Sequence, residues 1–204
     1  MSPTILQCAQ GTPEWAQARL GIPTASMFSA VLAAAKDGKE RKTRDMYLRK
    51  LAGEILTGES MDNYQDANFE RGKQMEAEAR DFYAFTTDEI IEQVGFIRNG
   101  AKGCSPDSLI GSAGMLELKT AFPHILIDKI LRDEFPPEHR AQCQGNLMVA
   151  EREYIDLAIY WPKMPMFTKR AYREDGYIAK LSDEINAFNA ELHELVEKIR
   201  RYGA

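Results

Sequence analysis

Near the end of the chain, Leu181, Ile185, Phe188, Leu192, Leu195 and Ile199 recur at spacings of four, three, four, three and four residues. That is the period of one face of an α-helix, so a long amphipathic helix closes the chain, with its stripe on the core or on another subunit. A free-standing coiled coil would need a longer repeat. Earlier stretches carry the same signal. Thr12-Pro13 places a capping residue before a proline at the first helical position, opening a helix that runs through Trp15 to Leu20 and stops at Gly21. Ile22-Pro23 forces an extended link, and Thr24 can cap a second helix carrying Met27, Phe28, Val31 and Leu32. Asp45 to Thr57 reads as a helix with Leu48, Leu51 and Ile55 inward and Gly58 as its stop. A longer one spans Phe69 to Phe85, with Met75, Ala79, Phe82 and Phe85 as its apolar stripe and Glu76 beside it.

The pattern then turns to β. Ile90 to Arg98 leads through the turn residues Asn99-Gly100 and Lys102-Gly103 into Cys104 to Thr120, two apolar runs joined by Gly-Ser-Ala-Gly. Three successive strands are expected there, the last two forming a hairpin. Pro123 to Phe135 returns to helical spacing with Ile125, Ile127, Ile130 and Leu131, until Pro136-Pro137 interrupts it. Glu138 to Ala150 is a further helix, and Tyr154 to Trp161 and Met166 to Tyr172 are strands. No internal repeat, low-complexity tract or linker divides residues 1–204, so one domain is expected.

The hairpin carries the chemistry. Asp107 follows Ser105-Pro106, and Glu117 and Lys119 lie two residues apart, so on a strand they share a face and converge with Asp107 at one sheet edge. Gathering such charges is costly unless they hold a cation or an anionic ligand, which points to a metal site acting on a phosphate. On the helix after it, Gln144 shares a face with Ala141, Leu147 and Met148, a polar group on an apolar stripe that needs a partner. His139 and Cys143 are four apart, but nothing is spaced to complete a zinc site with them.

Composition narrows this little. With 204 residues, 44% hydrophobic and 28% charged, the chain has the makeup of a globular protein with one substantial core. The odd cysteine count, Cys8, Cys104 and Cys143 without a C-x-x-C pair, supports neither a disulfide framework nor a four-cysteine metal site and fits a reducing cytoplasm. No apolar run approaches the roughly 20 residues of a membrane span, and the N-terminus lacks signal-peptide features, so no membrane association is expected. A net charge of −5 argues against coating nucleic acid by bulk attraction. Residues 36–44, KDGKERKTR, nevertheless hold five positive and two negative side chains and are either a solvated loop or a phosphate contact.

The order of elements, with Asp and Glu-x-Lys on strands, resembles the PD-(D/E)xK nucleases. Five blocks narrow the resemblance: Trp15 to Ser26 (WAQARLGIPTAS), Gly72 to Glu76 (GKQME), Cys104 to Asp107 (CSPD), Leu116 to Lys119 (LELK) and Ala141 to Gln144 (AQCQ). Together and in this order they resemble the phage lambda exonuclease family of recombination nucleases. The resemblance implies an α/β, restriction-endonuclease-like fold with a mixed central sheet flanked by helices. It implies that Asp107, Glu117 and the Leu118 carbonyl bind Mg2+, for which Mn2+ substitutes, in a two-metal site that Glu76 completes, and that Lys119 positions or activates the attacking water. Arg19, Ser26, Ser105 and Gln144 take the positions of residues near the DNA end and its 5′-phosphate. Gly145 departs from the pattern, since a bulky aromatic residue is expected after Gln144. A toroidal homotrimer and a single-strand annealing protein as partner are implied as well.

The expected activity is a magnesium-dependent 5′→3′ exonuclease that degrades one strand of linear double-stranded DNA and leaves a 3′ tail for recombination in a bacterial host cytoplasm. A PD-(D/E)xK endonuclease or junction resolvase is the nearest alternative, because fold and triad do not fix the substrate. A noncatalytic DNA-end-binding module is a third reading, disfavoured by the joint presence of Asp107, Glu117 and Lys119.

Overall fold

A computed structural model describes residues 2–33, 42–61 and 67–202, with no side chain described for residues 67–73. The chain opens with β1 (Thr4–Leu6), a strand too short to show a pattern in sequence. In α1 (Pro13–Arg19) the Thr12 hydroxyl accepts the Trp15 N–H at 3.3 Å, and Glu14 and Arg19 complement the helix dipole at its two ends. The second helix begins differently from the expectation. Thr24 caps nothing; Ala25–Met27 form a 3-10 turn before the four-residue α2 (Phe28–Val31). The Thr24 N–H instead donates to the Tyr47 hydroxyl at 3.1 Å.

Residues 36–41 of the basic stretch lie outside the described residues, while Lys42 and Arg44 fall in α3 (Lys42–Thr57). Arg44 is buried, donates to both carboxylate oxygens of Glu191 at 2.6 and 2.7 Å and lies over the Phe188 ring. It is therefore a structural cation. Tyr47, Leu51 and Glu54 are buried on the inner face of this helix, and the expected Leu48 and Ile55 pack half-buried against the same core.

On α4 (Ala67–Thr87), among the described residues, Ala79 of the expected stripe is buried together with Tyr83, whereas Phe82 and Phe85 are exposed, Phe85 at 86%. The face is set by the Tyr83 hydroxyl, which reaches the buried Asp156 at 2.5 Å, rather than by the most apolar side chains. The expected strand over residues 90–98 divides into β2 (Ile91–Glu92) and β3 (Phe96–Asn99). Between them Gly95 lies on the Cys8 backbone, where a Cβ would come within 1.8 Å of the Cys8 carbonyl oxygen. That close approach turns the chain from one sheet to the other.

β4 (Lys102–Cys104), β5 (Ser108–Ile110) and β6 (Gly114–Thr120) follow, then α5 (Pro123–Arg132). This helix stops before Phe135, at Asp133 in the left-handed region, and buries only Leu126; Ile125, Ile127 and Leu131 are exposed. A 3-10 turn over Pro137–His139 precedes α6 (Arg140–Ala150). β7 (Tyr154–Tyr160), β8 (Phe167–Tyr172) and α7 (Asp175–Arg200) complete the chain, and α7 buries Leu181, Ile185, Phe188 and Leu192 as its spacing predicts, while at its end Val196 is buried and the expected Ile199 is exposed.

β1, β3 and β4 form a small antiparallel sheet, and a larger mixed sheet has the order β2-β5-β6-β7-β8. In the larger sheet only β6 and β7 are parallel, and α5 and α6 lie in the crossover that joins them. One face packs Leu116, Leu118 and Ala158 against Ala79 and Tyr83 of α4. The other packs Met115, Ile155 and Leu157 in the main core with Phe28, Leu147, Leu181 and Phe188. Gly145 of α6 lets the helix close on Phe28, whose ring lies 2.4 Å from where a Cβ would be. Among the described residues no helix is long and apolar enough to cross a membrane.

Candidate active site

β6 is the third strand of five, so its acid and lysine project from the middle of the sheet and not from an edge. Residues 115, 117 and 119 alternate with Leu116 and Leu118, which puts Glu117 and Lys119 on the α6 side, as a strand requires. Asp107 enters just before β5. Its N–H donates to the Leu116 carbonyl at 3.0 Å and its Oδ2 accepts the Leu118 N–H at 2.5 Å, which clamps it across β6. Gln10 holds the approach to Asp107 by donating to the Pro106 and Val94 carbonyls at 3.0 and 2.9 Å.

Glu117 is 3% exposed and fully engaged. Oε1 accepts from Lys119 Nζ at 2.6 Å and from Gln142 Nε2 at 2.5 Å, and Oε2 accepts from Asn146 Nδ2 at 2.9 Å. Gln142 and Asn146 are one turn apart on α6 and so share the face that meets β6. Sequence reading passed over both. Gln144, the glutamine expected near the DNA end, sits on the other side of the helix, where it lines a cavity of about 480 Å³ with Arg140, Arg170 and Arg173; its Nε2 donates to the Tyr172 carbonyl at 2.8 Å and its Oε1 accepts the Glu174 N–H at 2.9 Å. Gln144 is thus a junction residue between β8 and α7. The signal for Gln142 and Asn146 was a second polar pair at helical spacing on a helix that follows Glu-x-Lys.

Glu76 of α4 accepts from Arg80 at 2.6 Å and shares with Asp107, Trp15 and Arg80 a cavity of about 640 Å³. Desolvation, then Glu117 and Glu76, hold the Asp107 carboxyl well above the usual carboxylate range. Burial works against the Lys119 ammonium, but Glu117 and Asp107 outweigh it and raise its pKa, so the lysine is a cation here. Burial pushes the Cys104 and Cys143 thiols up as well, which leaves them as inert packing groups. Among the described residues no three Asp, Glu, His or Cys side chains are gathered as a ready metal cage. The donor set still suits a hard divalent cation, because Asp107 is raised by neighbouring carboxylates that such an ion would offset and the ligands on offer are all oxygens.

Arg19 and Ser105 meet through Trp15. The Arg19 guanidinium stacks 4.0 Å above the Trp15 ring, whose Nε1 donates to Ser105 Oγ at 2.9 Å. Arg19 and Ser26 line a cavity of about 160 Å³ with Thr24, Lys50 and Glu54. The Gly103 N–H donates to the Pro23 carbonyl at 3.1 Å, and this tie holds the Thr24–Ser26 segment beside β4 at Gly103, two residues before Ser105 and four before Asp107.

Residues 14–153 match the YqaJ-like viral recombinase domain. The structure is similar to that of an alkaline exonuclease, LHK-Exo, from Laribacter hongkongensis, with 32% identity over 94% of this chain and 97% of that one. The TM-score is 0.84 for its complex with dAMP and 0.82 for a second structure. A phage related exonuclease from Haemophilus somnus 129PT shares the fold at 13% identity, with 87% and 96% of the two chains covered and a TM-score of 0.64. No curated protein sequence is significantly similar. The fold is the PD-(D/E)xK α/β fold with a mixed sheet between helices, and the chain belongs to the YqaJ-like viral recombinase domain family.

Proposed function

We propose that the chain is a magnesium-dependent 5′→3′ exonuclease of phage-type recombination, acting on linear duplex DNA and leaving a 3′ single-stranded tail. The observation that carries this reading is the clamp of Asp107 across β6 beside Glu117 and Lys119, joined within a few residues to the Arg19–Trp15–Ser105 stack. Asp107, Glu117 and the Leu118 carbonyl would hold Mg2+ or Mn2+, with Glu76 completing the acidic set. When bound, the metal polarises the phosphodiester and lowers the pKa of the attacking water. Gln142 and Asn146 fix the Glu117 carboxylate, which limits its rotamers before any substrate arrives. Lys119, charged in this setting, stabilises negative charge on the nonbridging oxygens as the bond breaks and orients water by donating to it. Arg19 and Ser26 offer a cation and a hydroxyl to a terminal phosphate, Ser105 a second hydroxyl, and the Trp15 ring lies between. Gln144 has no part in this group.

Family membership further supports a ring-shaped homotrimer, a partner that anneals single strands, and action in the host cytoplasm as part of the same proposal. The test compares a 5′-phosphorylated linear duplex with a closed circular duplex in magnesium. Mononucleotides released from the 5′ ends of the linear form alone are expected. Efficient cutting of the circle would transfer the protein to the endonucleases or resolvases, and end binding without release would make it a noncatalytic module.

A further inference from the structure

Cavities open on both flanks of β6. Asp107, which precedes β5, lies on the β5 side with Trp15 and Glu76; on the β7 side, a cavity of about 440 Å³ is walled by Lys119, Phe122, Ile125, His139 and Trp161, with Met75, the neighbour of Glu76 on α4, between the two. Its size falls in the roughly 300–1,000 Å³ of small-ligand sites. Phe122 is 57% exposed, although it stands at the mouth of a cavity shared with Lys119. Its ring centroid is 5.4 Å from Trp161 and 6.3 Å from His124, nearly parallel to the latter at 9°. Lys129 and Glu138 of the wall pair with each other, so its cation beside the rings is Lys119, one of whose donors goes to Glu117 at 2.6 Å. Exposed aromatic faces beside cations are the composition that holds single-stranded nucleotides, because every base has a stacking face and every nucleotide a phosphate.

Direction follows from the opposite flank. Trp15 lines the Asp107 cavity and carries Arg19 and Ser105, so a 5′ end held there approaches the metal ligands from that flank. The strand must then continue in the 3′ direction past Lys119. We propose that the cavity of Phe122, His139 and Trp161 is a nucleobase-stacking subsite for the nucleotide immediately 3′ of the scissile phosphate, the one that becomes the new 5′ end. This rests on the exonuclease reading above. The subsite would keep the shortened strand beside Lys119 after each cleavage, before its new terminal phosphate moves to the Arg19 side.

The experiment uses a 5′-phosphorylated duplex whose second nucleotide is intact or abasic, and measures kcat/KM for first-nucleotide release by wild type, Phe122→Ala, Phe122→Leu and Phe122→Trp. Loss of the base in wild type, and loss of the ring in Phe122→Ala or Phe122→Leu on intact DNA, should each lower kcat/KM on the order of ten-fold. Combining the two should cost little more than either alone, since both remove one contact, and the altered unpairing at the abasic position is common to all proteins and cancels. Phe122→Trp should behave as wild type. Additive losses, or an unchanged kcat/KM in Phe122→Ala, would overturn the subsite. So would loss of activity that tracks a change in sedimentation, which would make this surface a contact between copies of the chain. If wild type releases no nucleotide from the 5′ end, the exonuclease reading fails and takes the subsite with it; if it does release them and the losses add, the subsite alone fails.

Discussion

Tyr83→Phe separates the stability of the sheet from the setting of the catalytic acids. Tyr83 is 1% exposed and its hydroxyl donates to Asp156 Oδ2 at 2.5 Å, while Arg170 holds both Asp156 oxygens at 2.8 Å. Phenylalanine removes one donor and strands none. Asp156 keeps its guanidinium partner, so the loss belongs at the low end for a hydrogen bond to a charged group, about 1.5 kcal/mol. For a chain of this size that lowers the melting temperature by roughly 3–6 °C. Glu76 lies seven residues before Tyr83, two turns up the same face of α4, so a loosened anchor lets Glu76 drift from Asp107. Urea unfolding reads the first effect, and nucleotide release as a function of magnesium reads the second. A higher half-saturating magnesium concentration with the saturated rate nearly kept is expected. Wild-type stability, or a lost saturated rate with an unchanged magnesium response, would refute the reasoning. Asp156→Ala, by contrast, leaves the buried Tyr83 hydroxyl without its acceptor, while the partly exposed Arg170 turns to solvent, and should cost about 1–3 kcal/mol.

Lys119→Ala should fold and bind DNA ends, because Gln142 and Asn146 still hold Glu117, yet cleave about 100- to 1,000-fold more slowly; near-normal single-turnover cleavage would remove the lysine from the chemistry. Gln142→Ala should lower activity with little loss of stability, whereas Gln144→Ala should do the reverse, costing about 1–3 kcal/mol as the Tyr172 carbonyl and Glu174 N–H lose their partner. Failure of folded Gln144→Ala to bind 5′-phosphorylated ends would restore that glutamine to the site. Asp107, raised above the ordinary value of about 3.9, binds its proton more tightly in the folded chain than in the unfolded one. Its contribution is complete below the unfolded pKa and is lost as pH rises through the folded one. Thermal melts of metal-free protein should therefore show a falling contribution across that window which Asp107→Asn abolishes, and magnesium should restore stability to wild type alone.

The hairpin that carries Glu117 and Lys119 was legible because strand alternation is strict: once residues 114–120 are a strand, the two must share a face, and the turn residues fix where the hairpin bends. The end of the chain was legible for the same reason, its stripe being long and regular. Position within the sheet was not. Whether β6 is an edge or a centre depends on β7 returning parallel beside it through α5 and α6, a long-range pairing that no local pattern carries. Gln142 was not legible because the polar residue on the apolar stripe is Gln144, which is buried by satisfying a backbone carbonyl and N–H, while Gln142 on the other face meets the acid. Phe85 misled in the opposite sense. Its size marked it as core, but the smaller Ala79 and the hydroxyl-bearing Tyr83 decide which face of α4 meets the sheet.

The aromatic ring expected after Gln144 is supplied from elsewhere: Phe28 occupies the space that Gly145 leaves. That exchange keys the segment holding Ser26 to the helix holding Gln142 and Asn146, so Ser26, a proposed phosphate contact, and the place where Glu117 is fixed cannot shift independently. If the phosphate is anchored at Arg19 and Ser26, their separation works as a ruler. The length of each product is then a property of one glycine–phenylalanine contact deep in the core, far from any atom that reacts.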